Sequence, residues 1–425
     1  MNDIVVLALS GSGVLGGGET YVMRMLKWLR EHQYQVVLMH KVNENFEQTV
    51  AKLFNDMNIE RILIPSLKSN PDYPDFTKVK VHFPDASNVH IICFQSTLNF
   101  FAAEMIKHRI KNCKVNTFHY IISETDYCRN ITHNTHNCFL QNIIKYIYCH
   151  IVKRMEKNDS IVYMTEEYAQ FIHKNFGISF NSDDLSFARL GMAISPLEMN
   201  KVTLRYYHKP FTILTMTRFD FPTKGYVLGL VDEFAVILKK NPQARLVIIG
   251  AGADKKQLLD KINSQREDVR NAIELVGQVP YDQLKTYFDK SNVFLGIATG
   301  LLDSSNFGLL PISATVNQCN CQCSGFFYEH ILDIGYGGQI PANELINQVM
   351  NMTEEDYRKE TCRNYDAFQK TYDITVSMKQ ILRLENRNKK ATLSLPLLYF
   401  LKFARMGIDY LLILKKIMQS AIHSQ

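Results

Sequence analysis

Thr217-Arg218-Phe219-Asp220 and Thr223-Lys224-Gly225 follow an apolar run over residues 211–216, and Gly250-Ala251-Gly252 closes a second apolar run after a helical pattern. Apolar runs of this length suit parallel strands buried on both faces, so the spacing predicts strand, loop, helix and strand. Arg218 and Lys224 then fall in the loop past the C-terminal end of the first strand, where open α/β sheets place their ligands. Arg supplies a planar fork of donors and Lys a compact charge, a pair that suits a diphosphate. Gly225 would let a backbone approach the ligand closely and would open the next helix, whose N-terminus favours anions. On spacing alone the same residues also fit a solvated surface loop.

The alternation continues outward in both directions. Downstream, helices are expected over 227–240, 255–265 and 281–290, with strands over 244–249, 272–275 and 292–295. Upstream, a strand over 4–9 runs into Gly11, Gly13, Gly16, Gly17 and Gly18, and Val22, Met25, Leu26 and Leu29 recur at helical spacing behind them. Further strands are expected at 35–39, 61–64, 89–94, 115–118 and 160–164, with helices at 44–57, 98–110, 137–157 and 166–175. The fold class is therefore α/β, with two Rossmann-like domains at 1–190 and 211–380, a linker at 191–210 and a helical tail at 381–425. Two such units imply a cleft between them, a favoured place for a ligand.

Length and charge agree with that division. A chain of 425 residues is too long for one core. Its net charge of +6, from 48 basic and 42 acidic residues, is not gathered into one strong run. That speaks against a nucleic-acid partner and permits an anionic ligand or a membrane surface. Nine cysteines, an odd number at low density, suggest reduced thiols in a cytosol. Met1-Asn2-Asp3-Ile4 lacks the basic region of a signal peptide. The glycine loop at 11–18 can bring amides to a substrate, but no acidic residue closes the strand at 35–39, so the dinucleotide fingerprint is incomplete. After residue 295, Gly296-Ile297-Ala298-Thr299-Gly300 reads as a loop opening a short helix. Asp303, Ser304 and Ser305 stand at its start, where they could cap amides or contact ligand hydroxyls.

The order of these motifs resembles the retaining GT-B glycosyltransferases of family 4 (glycosyl transferases group 1) from about Ile4 to Gln380. Gly16-Gly17-Gly18-Glu19 stands for that family's Gly-Gly loop and helix, and Leu190-Gly191-Met192-Ala193 for its linker turn. Arg218 and Lys224-Gly225 match the residues that hold the donor diphosphate. Gly250-Ala251-Gly252 matches the Gly-x-Gly strand end, and Val276-Gly277-Gln278-Val279 the stretch whose backbone meets the base. The resemblance implies two domains facing across a cleft, the first binding the acceptor and the second the nucleotide sugar. The family's two glutamates, separated by seven residues, are both missing. One alignment puts Asp303 at the second and Leu295 at the first; another matches Asn306-Phe307-Gly308-Leu309 to a Gly-Phe-Gly-Leu motif and leaves Ser305 and Ser313 for the pair.

What the resemblance implies is metal-independent transfer of a sugar from a UDP- or GDP-sugar, without a further cofactor, to a saccharide, lipid-linked or protein-linked glycan acceptor. Arg218 and Lys224 would stabilise the departing diphosphate, with Gly17, Gly18, Gly225, Gly277, Gln278, Asp303, Ser304 and Ser305 binding substrate. No Asp-x-Asp motif is present to hold Mg²⁺ on a diphosphate. His119, after the strand at 115–118, stands where relatives keep a histidine facing the sugars, and it equally fits a partly buried ring bonded to backbone. Glu124 offers either a base or an ordinary loop carboxylate. The missing glutamates also fit a non-catalytic scaffold subunit of a glycan-assembly complex, while an epimerase of similar architecture lacks its histidine and carboxylate pattern here.

Cys319, Cys321 and Cys323 alternate in strand rather than zinc spacing, and His133, His136 and Cys138 form a loose polar cluster. Asn386-Arg387-Asn388-Lys389-Lys390 precedes an apolar stretch over 393–417 that Lys402, Arg405, Asp409, Lys415 and Lys416 interrupt. A spanning helix is thereby disfavoured and an amphipathic one expected. It could pack on the protein, or lie on an anionic membrane through 386–420, making the protein cytoplasmic and peripheral on the inner face of the plasma membrane.

Overall fold

Apolar residues at successive positions leave a strand no polar face, so the first strand of each half of the chain is covered on both sides. In β1 (Ile4–Ala8) every residue is buried, and β7 (Thr212–Met216) is buried through Thr215. The computed structural model describes residues 3–10, 17–42, 44–46, 48–68, 73–83, 88–94, 96–122, 138–206, 208–333, 335, 337–383 and 391–404. Two compact units emerge, Met192–Asp373 and the remainder on either side of it.

The first unit runs β1, α1 (Gly17–Glu31), β2 (Gln35–Lys41), α2 (Gln48–Asp56), β3 (Glu60–Ile64), β4 (Asn88–Phe94), α3 (Thr97–Arg109), β5 (Lys114–Ile121), α4 (Cys138–Lys157), β6 (Ile161–Tyr163) and α5 (Glu166–Phe176). Its six strands lie in the order β3-β2-β1-β4-β5-β6, all parallel, with Val6 opposite both Val37 and Ile91. This is the doubly wound order whose direction reverses between β1 and β4.

The second unit runs α6 (Met199–Tyr206), β7, α7 (Tyr226–Lys240), β8 (Arg245–Ile249), α8 (Lys255–Asn263), α9 (Glu267–Asn271), β9 (Ile273–Gly277), α10 (Leu284–Asp289), β10 (Val293–Gly296), α11 (Thr299–Asn306), β11 (Leu310–Ala314), β12 (Gln322–Phe326), β13 (Ile340–Pro341), α12 (Ala342–Asn351) and α13 (Glu354–Tyr372). Its strand order is β13-β12-β11-β10-β7-β8-β9, parallel from β11 to β9, with β12 and β13 antiparallel. The reversal here lies between β7 and β10.

The units divide the chain differently from the sequence expectation at two places. Where a linker was expected, α6 packs into the second unit: Arg205, 5% exposed, donates to Asp289 Oδ1 at 3.0 Å, and its carbonyl accepts from Asn292 Nδ2 at 2.7 Å. Near residue 374 the chain returns to the first unit as α14 (Ile374–Arg383). Ser377 Oγ there donates to Arg189 O at 2.6 Å and lies 3.1 Å from Tyr21 Oη, while Trp28 Nε1 donates to Thr375 Oγ1 at 3.2 Å.

Residues 391–404 also pack on the first unit. Thr392 and Leu393 are fully buried. Leu393 N donates to Glu104 Oε2 at 2.8 Å, His108 Nε2 reaches Leu393 O at 2.6 Å, and Ser160 and Thr392 hydroxyls pair at 2.7 Å. Burial holds the Glu104 carboxyl above its ordinary range. Helix α15, described over 395–404, is fastened by Lys402 Nζ, which donates to Asp75 at 2.9 Å and to Thr77 Oγ1 at 2.8 Å.

Candidate functional site

At the reversal point of the second unit, the loop 217–225 leaves β7 and enters α7. Its backbone is fastened on one side by the loop after β8: Thr217 N donates to Ile249 O at 3.0 Å, Phe219 N to Ala251 O at 3.0 Å, and Asp254 N to Phe219 O at 3.2 Å. Asp254 Oδ2 in turn accepts from Phe221 N at 2.7 Å, and the Phe219 ring is fully buried. On the other side Asn317 N donates to Thr223 O at 3.1 Å. This frame holds Arg218 exposed and Lys224 half-buried on one loop.

The glycines around that loop are there for the protein's own backbone. A Cβ on Gly250, whose φ is +155°, would lie 1.9 Å from Thr217 O. One on Gly252 would lie 2.3 Å from Phe219 O, and one on Gly225 2.7 Å from both Cys319 Sγ and Gln318 O. Gly225 was expected to admit a ligand; in the fold it admits the turn at 318–319. Gly277 is the contrary case. At φ +87° it has no atom within 4 Å of a would-be Cβ, so the end of β9 is open for close approach. Gln278 beside it is exposed.

The turn from β10 into α11 corrects the sequence reading. The helix starts at Thr299 rather than near Asp303, because Gly296 and Gly300 seat against the Phe294 ring, where a Cβ would come within 2.7 and 2.9 Å. Ala298 at its N-cap holds φ 51° and ψ −133°, a strained conformation for a residue with a Cβ. Asp303, Ser304 and Ser305 consequently fall in the second half of the helix, buried, and cap nothing. Ser304 and Ser305 Oγ donate back to Leu301 O at 3.0 and 2.8 Å, and Asp303 Oδ1 accepts from Tyr281 Oη at 2.8 Å. Of the second register's pair, Ser305 lies on α11 and Ser313 is buried inside β11, which starts four residues after Asn306. Leu295, which the first register sets at the first glutamate, is a fully buried residue of β10 paired with Ile312.

Sequence reading overlooked the loop built on Asp333. Its carboxylate accepts from Gly335 N at 2.9 Å, Gly337 N at 3.0 Å and Ser324 Oγ at 3.0 Å, and Gly335 packs where a Cβ would meet Ile297 at 3.0 Å. The loop therefore borders the β10–α11 turn. The signal was present as an aspartate followed by closely spaced glycines.

In the first unit Gly17 and Gly18 form the first residues of α1, and Gly18 lines a small pocket with Leu9, Ser10 and Phe94 at the end of β1. Gly11, Gly13 and Gly16 lie outside the described residues, as do Glu124, His133, His136 and the side chain of Cys138. His119 is placed otherwise than expected. The strand continues to Ile121, since Tyr120 and Ile121 extend its apolar character, and His119 lies inside β5, fully buried, its ring stacked on Phe100 with centroids 6.0 Å apart. It lies in the core of the first unit.

Burial pushes His119 down to about 3 and His90 to about 4, so both are neutral when folded. An unfolded chain takes up those protons near pH 6.5, and the folded one only far below. Stability present above about pH 6.5 is therefore lost as pH falls toward 3, on the order of 1 kcal/mol per pH unit for each histidine. Thermal melts from pH 7 to 4 should show this decline, and His119→Leu should flatten it; an unchanged slope would refute the assignment.

Cys321 and Cys323 are buried free thiols, and Cys319 is exposed beside Gly225. Burial pushes the Cys321 thiol well up. Among the described residues no group of three His, Cys, Asp or Glu side chains stands together as metal ligands would.

Residues 199–315, the part of the second unit that carries this loop cluster, match the family described as Glycosyl transferases group 1. Over 155 residues the chain is 27% identical to the amylovoran biosynthesis glycosyltransferase AmsK of Erwinia amylovora, a match covering 33% of this chain and 36% of that protein. The chain thus spans about a third of the length of this curated relative. A glycosyltransferase from Rickettsia africae superposes with a TM-score of 0.61 at 15% identity, covering 92% of this chain and all of that one (100%). A variant of Staphylococcus aureus TarM, in complex with UDP, α-GlcNAc-glycerol and fondaparinux, gives 0.56 at 11%, covering 91% and 100%. At such identities the likeness is one of fold, and the fold is GT-B.

Proposed function

We propose that this chain is a retaining glycosyltransferase that moves a sugar from a nucleotide-diphosphate sugar to a saccharide or glycoconjugate acceptor, without a metal ion, in surface-glycan biosynthesis. The observation that carries the reading is the loop 217–225 at the β7–β10 reversal, presenting Arg218 and Lys224 from a frame fixed by neighbouring backbone. The amylovoran relative and the UDP complex of the TarM variant support the substrate class.

As the bond from the anomeric carbon to the diphosphate breaks, negative charge gathers on the leaving phosphate. Two fixed cations aimed at it lower that barrier directly. The uncapped first turn of α7 adds amides of the same polarity. Gly277 and Gln278 give the base an approach along the open end of β9. Asp303 acts as a positioning residue, holding the Tyr281 hydroxyl and with it the turn after β9.

Thermal melts with UDP, GDP and other nucleoside diphosphates, paired with a donor-hydrolysis assay, test the reading. One diphosphate should raise Tm, and the shift should vanish in the Arg218→Ala/Lys224→Ala double variant. A shift that survives the double variant would overturn the site. The buried Leu295 favours a second reading, a non-catalytic GT-B subunit: nucleotide binding without any donor turnover would support it over the enzyme.

A further inference from the structure

We infer that the face shared by α4 and α15 is a docking surface for an anionic lipid bilayer. Between these helices runs a cleft of about 690 Å³ with Ile147, Ile151 and Leu397 in its lining and Lys153, Arg154 and Lys157 among the residues around it. Large apolar side chains of this lining stand out into water, Tyr146 being 67% and Phe400 53% exposed, and Phe403, three residues further along α15, is 62% exposed. Clustered exposed aromatics of this size mark an interaction surface.

The charges on both helices are sorted toward one sign. The carboxylate of α4, Glu156, turns inward, accepting from Tyr163 Oη at 2.6 Å and meeting His173 Nε2 at 2.6 Å. On α15 the usual amphipathic arrangement is inverted. Lys402 reaches inward to the buried Asp75, and the aromatics are left outside. Among the described residues no carboxylate lines the cleft, and Lys153, Arg154 and Lys157 make no ion pair.

Basic side chains around exposed tyrosine and phenylalanine match the interfacial layer of an anionic membrane: aromatic rings sit at headgroup depth while lysine and arginine reach the phosphates. A protein partner of mixed charge would leave this one-signed set unanswered. The adjoining sequence is basic on balance, with Arg387, Lys389 and Lys390 against Glu385 before α15 and Arg405, Lys415 and Lys416 against Asp409 after it. Among the described residues no helix is long and apolar enough to cross a membrane, so the contact is a peripheral one.

Truncation before residue 393 cannot test this, because Thr392 and Leu393 belong to the core. The full chain should instead be sedimented with phosphatidylcholine vesicles, with and without phosphatidylglycerol. The chain should bind only the anionic vesicles, and binding should weaken with salt. Charge reversal at Lys153→Glu, Arg154→Glu and Lys157→Glu together, and separately Tyr146→Ser, Phe400→Ser and Phe403→Ser together, should each weaken it at least about tenfold. Circular dichroism and the nucleotide-induced shift should stay as in the parent chain, which separates loss of docking from loss of fold. Absence of vesicle binding, equal binding to neutral vesicles, or binding indifferent to both sets would overturn the proposal. So would a dimer in solution that the serine set dissolves in a chain that ignores vesicles, which would make the face an interface between copies.

Discussion

Alanine in place of Arg218, or of Lys224, is expected to lower the turnover of sugar transfer by on the order of 10²-fold or more each, about 2.7 kcal/mol of transition-state stabilisation. The size of the effect follows from where the charges are fixed. Thr217, Phe219 and Asp254 amides anchor the loop backbone to the strands and turns beside it, so in the proposed reaction the segment carrying both cations needs little rearrangement as the leaving group departs. Arg218 is exposed and makes no ion pair among the described residues, so its removal should leave Tm nearly unchanged. Arg218→Lys keeps the charge and loses the fork, and should fall between parent and alanine variant. The loss should appear in kcat more than in KM, because the interaction is strongest with the charge that develops during reaction. Full activity in both alanine variants would remove the diphosphate assignment, whereas a loss confined to KM would leave Arg218 and Lys224 as ground-state binders only.

How much of this was legible depends on whether the deciding interactions are local. The core strands of both units were readable because their apolar runs end in glycines or polar turns; β7 and β8 are examples. β12 was missed. Its sequence Gln-Cys-Ser-Gly-Phe has no strand pattern, and its conformation comes from pairing with β11 and β13. α11 was placed too late because Ala298-Thr299-Gly300 reads as loop until the Phe294 ring is brought beside it. His119 was placed past a strand end because a polar residue breaks an apolar run, yet inside a sheet its ring can stack on Phe100. The division into units was legible only in outline, since the return of α14 to Tyr21 and Trp28 rests on contacts more than 340 residues apart in sequence, at separations of 356 and 347. Glycines were the subtlest case. A sequence shows that a position has no side chain; it does not show whether a ligand or the chain itself takes up the space.

That ambiguity gives the second large effect, on folding. Gly250→Ala should destabilise the second unit by roughly 2–6 kcal/mol, joining an overpacking cost of about 1–3 to a backbone cost of about 1–3. The new Cβ would lie 1.9 Å from Thr217 O at a φ of +155°. Escape is restricted on both sides: Gly250 N is bonded to Gly277 O at 2.9 Å, and Thr217 N to Ile249 O at 3.0 Å. A loss of this size is a large part of an ordinary domain's stability, so the urea midpoint should drop steeply and little folded protein should remain near 37 °C. Gly277→Ala provides the contrast. With nothing within 4 Å of its Cβ, it bears the backbone cost alone, and should stay folded while its nucleotide-induced shift in Tm diminishes. If Gly250→Ala keeps the parent's urea midpoint, the 217–219 backbone can slide away from β8. Arg218 would then lack the fixed placement that its effect on turnover requires.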